Sequence, residues 1–332
     1  MKHSFLAITL FFSGFLFSQT SYNDSIKLNE VIVTGSKTEI SRKIVPLSVS
    51  QISKTNIENS GQMNILTALN QFAPGIFVTE RNIFGFGVST GGSGSISMRG
   101  MGGSPNNEVL VLIDGHPQYQ GLFGHPLADA YVSSDVEKVE IIHGPASILY
   151  GSNAMAGVIN IITKKQKTDG MSATLGTSYG SYNTQKYYGT FGFKDKKLNA
   201  FASANYSHTD GIREKTDFNI GNGYLKVGYD INEHLSVTAD ADLAKYIGND
   251  NGKISAPALF GIDITRGKAA ASFDNKYKNS EGSVKIFHNF GEHTLTNGFH
   301  STDFNSGLML YQSFRLFEGN LLTVGTDIKN YG

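Results

Sequence analysis

From Met171 onwards, apolar and polar side chains take turns along the chain. Met171, Ala173, Leu175, Thr177 and Tyr179 alternate with Ser172, Thr174, Gly176, Ser178 and Gly180. Leu235, Val237, Ala239, Ala241 and Leu243 alternate with Ser236, Thr238, Asp240, Asp242 and Ala244, and Leu322, Val324, Thr326 and Ile328 with Thr323, Gly325, Asp327 and Lys329. A period of two is that of a β-strand, so each run predicts a strand of about ten residues with one apolar and one polar face. Tyr179, Tyr182, Tyr206, Tyr229 and Tyr246 fall near the predicted strand ends, where an interfacial aromatic girdle would sit. A soluble β-sandwich alternates in the same way, so this pattern alone leaves open what solvent the apolar face meets.

Composition narrows the choice. The chain has 332 residues, room for two domains, and its 38 glycines with 15 tyrosines and 22 phenylalanines suit strands and turns. Formal net charge is zero, so composition offers no electrostatic case for a nucleic-acid partner. The absence of cysteine excludes disulfides, thiolate metal sites and a lipid-anchored N-terminal Cys. Lys2 and His3 precede the apolar run Phe5–Phe17, which is too short to span a bilayer and suits a secretory segment, 1–18, with cleavage near Ser18-Gln19. The alternative is a buried first helix. No later run approaches ~18 apolar residues, so no transmembrane helix is expected, which leaves a membrane barrel open.

Between the two ends lies a different kind of sequence. Residues 19–43 are a polar leader, broken by the β-prone island Glu30, Val31, Ile32, Val33 and Thr34, which can add as a strand to a partner's exposed edge. Residues 44–165 read as a small α/β domain: a strand in Val45–Ile52, a helix over Gln62–Phe72 stopped by Pro74-Gly75, and a strand at Ile76–Thr79. Three further strands follow at Val109–Ile113, Val136–Ile142 and Val158–Thr163. Asp114-Gly115 is turn chemistry. Phe84–Gly103 is Gly-rich but contains no phosphate-loop spacing. His116, His125 and His143 with Asp114 and Asp129 lack metal-ligand spacing, so neither a metal nor a cofactor is expected.

Several pieces resemble the plug of the TonB-dependent outer-membrane receptors: Ile96–Gly100 (ISMRG), Val109–Gly115 (VLVLIDG), Val136–Gly144 (VEKVEIIHG) with Pro145, Tyr150-Gly151, and Gly157–Lys164 (GVINIITK). Together they cover Val45–Lys165 in family order. The resemblance implies an α+β plug domain followed by antiparallel transmembrane β-barrel strands, and a receptor rather than an enzyme. It makes Glu30–Thr34 the TonB box, engaged by a TonB-type inner-membrane energy-transducing protein. It implies outer-membrane lipid around the strands and an extracellular small-molecule ligand, most commonly an iron–siderophore or another metal chelate. Arg99, Lys138 and Glu140 are the implied carriers of plug–barrel ion pairs. Lys138 and His143 stand where the family more often has Arg, which removes a bidentate fork from both positions. Arg81, Phe84 and Phe86 in one loop, and Gln118, Tyr119 and Phe123 in another, are candidates to face the ligand. The alternative is that these loops pack on the plug itself.

Residues 171–332 suffice for roughly 9–10 strands. A plug of ~120 residues does not fit inside a barrel of ten strands. The chain ends Lys329-Asn330-Tyr331-Gly332, whereas the family barrel usually ends in a terminal aromatic. The expectation is therefore the N-terminal part of a larger receptor, from a truncated frame or an incomplete sequence. The leader is too short for the extra N-terminal domain of signal-transducing receptors or of many glycan importers. A non-transporting remnant, or a surface interaction protein retaining the plug-like domain, is the alternative.

Overall fold

The computed structural model describes residues 31–32, 37, 40–41, 47–80, 95–103, 108–118, 131–250, 252, 254–256 and 260–332. The first elements are β1 (Val31–Ile32), β2 (Ile40–Ser41), β3 (Val49–Ser53), helices α1 (Lys54–Ser60) and α2 (Ile65–Phe72), β4 (Ile76–Val78), β5 (Ile96–Met98) and β6 (Met101–Gly103). They are followed by β7 (Val109–Ile113), β8 (His116–Pro117), β9 (Val136–His143), helix α3 (Ser147–Tyr150) and β10 (Gly157–Thr163). The longer strands are β11 (Gly170–Gly180), β12 (Thr184–Asp195), β13 (Leu198–Thr209), β14 (Phe218–Asp230), β15 (Leu235–Asp250), β16 (Phe260–Lys276), β17 (Ser280–Leu295), β18 (His300–Phe314) and β19 (Leu322–Tyr331).

The α/β part is built on a sheet of order β3-β9-β10-β7-β8, in which β7 runs parallel to β10 and the other neighbours are antiparallel. β7 is apolar and buried at every position because both of its faces are covered. Val109, Val111 and Ile113 join Val139, Ile141, Ile159 and Ile161 on the face that receives α1 and α2. Leu110 and Leu112 join Ile142, Val158 and Tyr150 on the other. Helix α2 starts at Asn64, whose side chain accepts from the Leu66 amide at 2.9 Å, and buries Ile65, Leu66 and Leu69. Of the strand predicted over Val45–Ile52, 45–46 lie outside the described residues and β3 takes up at Val49. Helix α1 was not expected, since its sole buried side chain is Ile57 and it shows no apolar period.

Among the described residues, β11 to β19 form one antiparallel sheet in sequence order, with β11 and β19 at its two ends, and it does not close on itself. Strands of 10 to 17 residues exceed the predicted length in most cases. The sheet wears its faces inside out for a water-soluble protein. Leu225 is 50% exposed while its neighbour Lys226 is 9% exposed. Val237, Leu243, Ile247, Val284 and Ile286 also point outward, and Asp240, Arg266, Lys268, Asn289 and His293 point inward and are buried. Apolar out and polar in is the arrangement of a sheet with lipid outside and a polar lumen within, and this excludes the soluble sandwich. No described helix is long and apolar enough to cross a membrane.

Tyr179, Tyr206 and Tyr229 face outward near strand ends, as expected of a girdle, and Tyr182 is exposed in the following turn. Tyr246 corrects the expectation. It is 1% exposed and packs inward with Phe218, Ile220, Ile262 and Ile264. Its even position on β15 puts it on the face of Asp240 and Asp242, and parity overrides nearness to the strand end.

Candidate functional site

Val31–Gly332 form one compact unit, so the α/β layer and the inward face of the nine-stranded sheet can be described together. Their densest polar contact is built around the turn that joins β7 to β8. Ile113 pairs with His116, leaving Asp114 and Gly115 as a two-residue hairpin loop. Both have positive φ (49° and 82°), which Asp tolerates and Gly adopts freely. A Cβ on Gly115 would lie 2.9 Å from Lys285 Nζ, so the glycine also makes room for that lysine.

The turn aims the Asp114 carboxylate at β10 and at the wall. One oxygen accepts the Thr163 amide at 3.0 Å, and the other accepts the Thr163 hydroxyl at 2.6 Å and Lys226 Nζ at 2.9 Å. Lys226 Nζ donates to Thr163 Oγ1 as well (2.8 Å), and that oxygen lies 2.9 Å from the Tyr224 hydroxyl. Lys285 Nζ donates to the Asp114 carbonyl at 2.7 Å. Behind this, Lys268 is ion-paired with Asp240 (2.6 Å) and Asp242 (3.4 Å). Burial alone would raise the Asp114 carboxyl, but the Lys226 ammonium and the Thr163 hydroxyl outweigh it and hold the group well below the usual carboxylate range. His116, buried beside Lys285 and Lys268, is pushed well below its ordinary value and stays neutral.

The seam continues on both sides of this turn. Asn289 donates to the Pro117 carbonyl at 2.8 Å, and Ser134 Oγ lies 3.1 Å from Asn205 Oδ1. Asp135, next to Ser134, is raised by burial to about 6, against the pull of the Ser203 and Ser134 hydroxyls. The seam is therefore polar, charged and balanced. Such an interface holds two bodies in one register and exchanges its bonds for water when it opens.

Residues 41–158 match the TonB-dependent receptor plug domain model. This chain carries a TonB-dependent receptor plug. It is similar to the iron-regulated outer membrane virulence protein of Vibrio cholerae, with 34% identity over 171 residues, 49% of this chain and 24% of that protein. It is also similar to the vitamin B12 transporter BtuB of Vibrio vulnificus, with 30% identity over 216 residues, 64% of this chain and 33% of that one. The ferripyoverdine receptor of the outer membrane of Pseudomonas aeruginosa, solved with ferripyoverdine bound, superposes with a TM-score of 0.72 at 16% identity. That match covers 93% of this chain and 46% of the receptor's. The chain thus spans about a quarter to a third of these curated relatives and under half of that solved chain. Its fold is a plug with outer-membrane barrel strands, and its place is the outer membrane.

Arg99, Lys138 and Glu140, expected to tie plug to barrel, make the following contacts within the plug. Lys138 and Glu140 pair with each other at 2.6 Å along β9, with Glu140 0% exposed. They lie two apart on one face of the strand, so the shortest partner for each is its neighbour. Arg99 occupies the β5–β6 turn at φ 51° and donates to Ser48 Oγ at 3.3 Å, inside the plug. Among the described residues, Asp114 and Lys226 make an ion pair from plug to barrel; sequence reasoning read Asp114 as turn chemistry and did not single out Lys226. His143 accepts or donates at Ser50 Oγ (2.7 Å), and burial followed by Arg99 lowers it, so it remains neutral.

Gln118 is 8% exposed and its side-chain amide donates to the His116 carbonyl, while its own carbonyl accepts from Tyr131. Both contacts lie within the plug. Arg81, Phe84, Phe86, Tyr119 and Phe123 lie outside the described residues. So do the secretory segment, Glu30, Val33 and Thr34; Val31 and Ile32 pair antiparallel with Ser41 and Ile40.

Proposed function

We propose that the chain forms the plug and adjoining barrel strands of a receptor that imports a scarce extracellular ligand, with an iron–siderophore complex or a related metal chelate as cargo. The observation that carries this reading is the ion-paired seam between the Asp114 turn and β14–β17. A plug held by hydrogen bonds and charge pairs can shift without exposing an apolar core to water, which a gated importer requires. The relatives support the cargo class through what they are: an iron-regulated outer membrane protein, a vitamin B12 transporter and a ferripyoverdine receptor.

The work of opening would come from a TonB-type inner-membrane protein drawing on Glu30–Thr34. The strand pairing of Val31 and Ile32 supports strand addition as the mode of that engagement. Short turns face the periplasm in such barrels, and longer loops face outward. Connections 196–197, 231–234, 277–279 and 315–321 leave from the end at which the chain enters the barrel, and 181–183, 210–217, 251–259 and 296–299 from the other, which includes the two longest. The second group would surround the ligand, together with the plug loops that hold Arg81, Phe84 and Phe86, and Tyr119 and Phe123.

Iron-starved cells with the intact gene, a deletion, or Val31→Pro would be offered radiolabelled ferric siderophores and radiolabelled cobalamin. Energy-dependent ferric uptake that disappears in both altered strains is the expected result. Uptake of cobalamin alone would keep the transport and change the cargo. Equal uptake in all three strains would sink the transport reading and favour a surface interaction protein that retains a plug.

A further inference from the structure

The 3-10 turn Ser133–Asp135 carries two polar side chains from the plug to the wall. Ser134 Oγ lies 3.0 Å from Asp135 Oδ1 and 3.1 Å from Oδ1 of Asn205 in β13. Asp135 and Asn205 are both buried. One hydroxyl thus faces two oxygen acceptors, and it has a single proton to give. With Asp135 ionised, that proton serves one oxygen and leaves the other against a lone pair. With Asp135 protonated, the carboxyl donates to Ser134 Oγ and the serine donates to Asn205. Only the protonated form makes both bonds at once.

The surroundings favour the same form. Among the described residues no lysine or arginine is ion-paired with Asp135, because those nearby are engaged elsewhere. Lys164, whose amide donates to the Asp135 carbonyl at 2.7 Å, has its ammonium 3.7 Å from Glu58 of α1. Glu137 of β9 holds Lys167, Lys226 holds Asp114, and Lys268 serves both Asp240 and Asp242. Asp242 lines a cavity of about 20 Å³ together with Asp135, Thr163 and Tyr224. That is room for about one water, too little to hydrate a carboxylate. Burial accordingly raises the Asp135 carboxyl to about 6.

We propose that Asp135, Ser134 and Asn205 form a proton-binding site shared by plug and wall. One bound proton completes a donor chain from the Asp135 carboxyl through the Ser134 hydroxyl to the Asn205 amide oxygen. Losing it turns the serine towards the carboxylate and breaks the bond to β13. A carboxyl whose folded value lies above its ordinary 3.8 stabilises most in acid, so the turn is held most firmly below about 4 and loses its hold as pH rises through 6. The grip of this turn on its wall follows the proton, whatever the cargo.

A double-mutant cycle at two pH values tests the chain of donors. The full chain in lipid vesicles would be unfolded with denaturant at pH 5 and pH 7.5, as the unsubstituted protein, Ser134→Ala, Asn205→Leu and the double variant. Coupling between the two positions should be about fivefold in the unfolding equilibrium at pH 5 and close to none at pH 7.5. In an Asp135→Asn background the side-chain amide supplies the donor at every pH, so the same coupling should appear at both. Coupling that is equal at the two pH values with Asp135 present, or absent at both, would overturn the proposal. Equal coupling would mean that Asn205 presents its nitrogen to Ser134 and that no added proton is needed. If Asn205→Leu fails to insert, infrared difference spectra of the unsubstituted protein against Asp135→Asn read the carboxyl directly. A protonated-carboxyl band should be present at pH 5 and fade through about 6, and its absence at pH 5 would equally overturn the site.

Discussion

Asp114 meets Thr163 through both carboxylate oxygens and Lys226 through one. An amide at this position would set a donor against the donors of Thr163 and Lys226 and leave the lysine unpaired. Asp114→Asn should therefore cost roughly 2 kcal/mol of resistance to denaturant, somewhat below the loss for a wholly buried pair. Lys226→Met should cost a similar amount, and the double variant less than the sum, with a coupling of about 1–2 kcal/mol. Additive losses would mean that the pair does not act as a unit. Asp135 works in the opposite direction. Its carboxyl is raised to about 6 from an ordinary value of 3.8, so between these values the folded protein binds a proton that the unfolded chain has released. Stability from this group thus rises as pH falls from about 6 to about 4. Above 6 the buried carboxylate is a cost of roughly 2–3 kcal/mol. Asp135→Asn should stabilise the protein at pH 7, and that gain should fade to nothing by about pH 4, measured as the difference between two denaturation series. A gain that does not change with pH would exclude titration of Asp135 as its source. Neither role was legible along the chain, because Asp114 and Lys226 are 112 residues apart and what surrounds Asp135 is set by packing.

At the scale of elements, helix α2 is stitched to the sheet by one side chain. Asn70 Nδ2 donates to the Val78 carbonyl at 2.9 Å, and Asn70 Oδ1 accepts the Val78 amide at 2.8 Å. The amide imitates a neighbouring strand on the free flank of β4, whose other flank pairs with β5. Asn70→Ala should lower stability by about 1–2 kcal/mol and speed amide exchange at Val78. Unchanged exchange at Val78 would show that the flank is covered by other means. The α/β strands were readable because apolar runs bounded by turn residues are local signals, and β7 falls at its predicted limits, Val109–Ile113. Helix α1 was not, since KTNIENS offers a single apolar contact and its helix depends on the caps at Ser53 and Gly61. The barrel strands run longer than predicted because continuous pairing to neighbours carries the backbone past the ends of the apolar alternation, as in β15 from Leu235 to Asp250.

Across the whole molecule, the exposed apolar face and the buried polar face decide between membrane and water; the alternation sets which residues share a face, and the fold sets which face lies outside. A strand's period is a local property of the backbone, so the sequence by itself determined which residues of β11–β19 share a face, Tyr246 included. It also determined where the strands at 109–113, 136–142 and 158–163 run and the Asp114-Gly115 turn, for their signals lie within a few neighbouring residues. What only the tertiary structure decided is which charge meets which: Asp114 with Lys226, Lys138 with Glu140, Lys37 between Tyr150 and Tyr311. These pairings depend on how the plug is rotated and seated against an inclined wall of strands. Any of several lysines and aspartates would satisfy the pattern, and the partner is chosen by position in space, to which no short-range periodicity is sensitive.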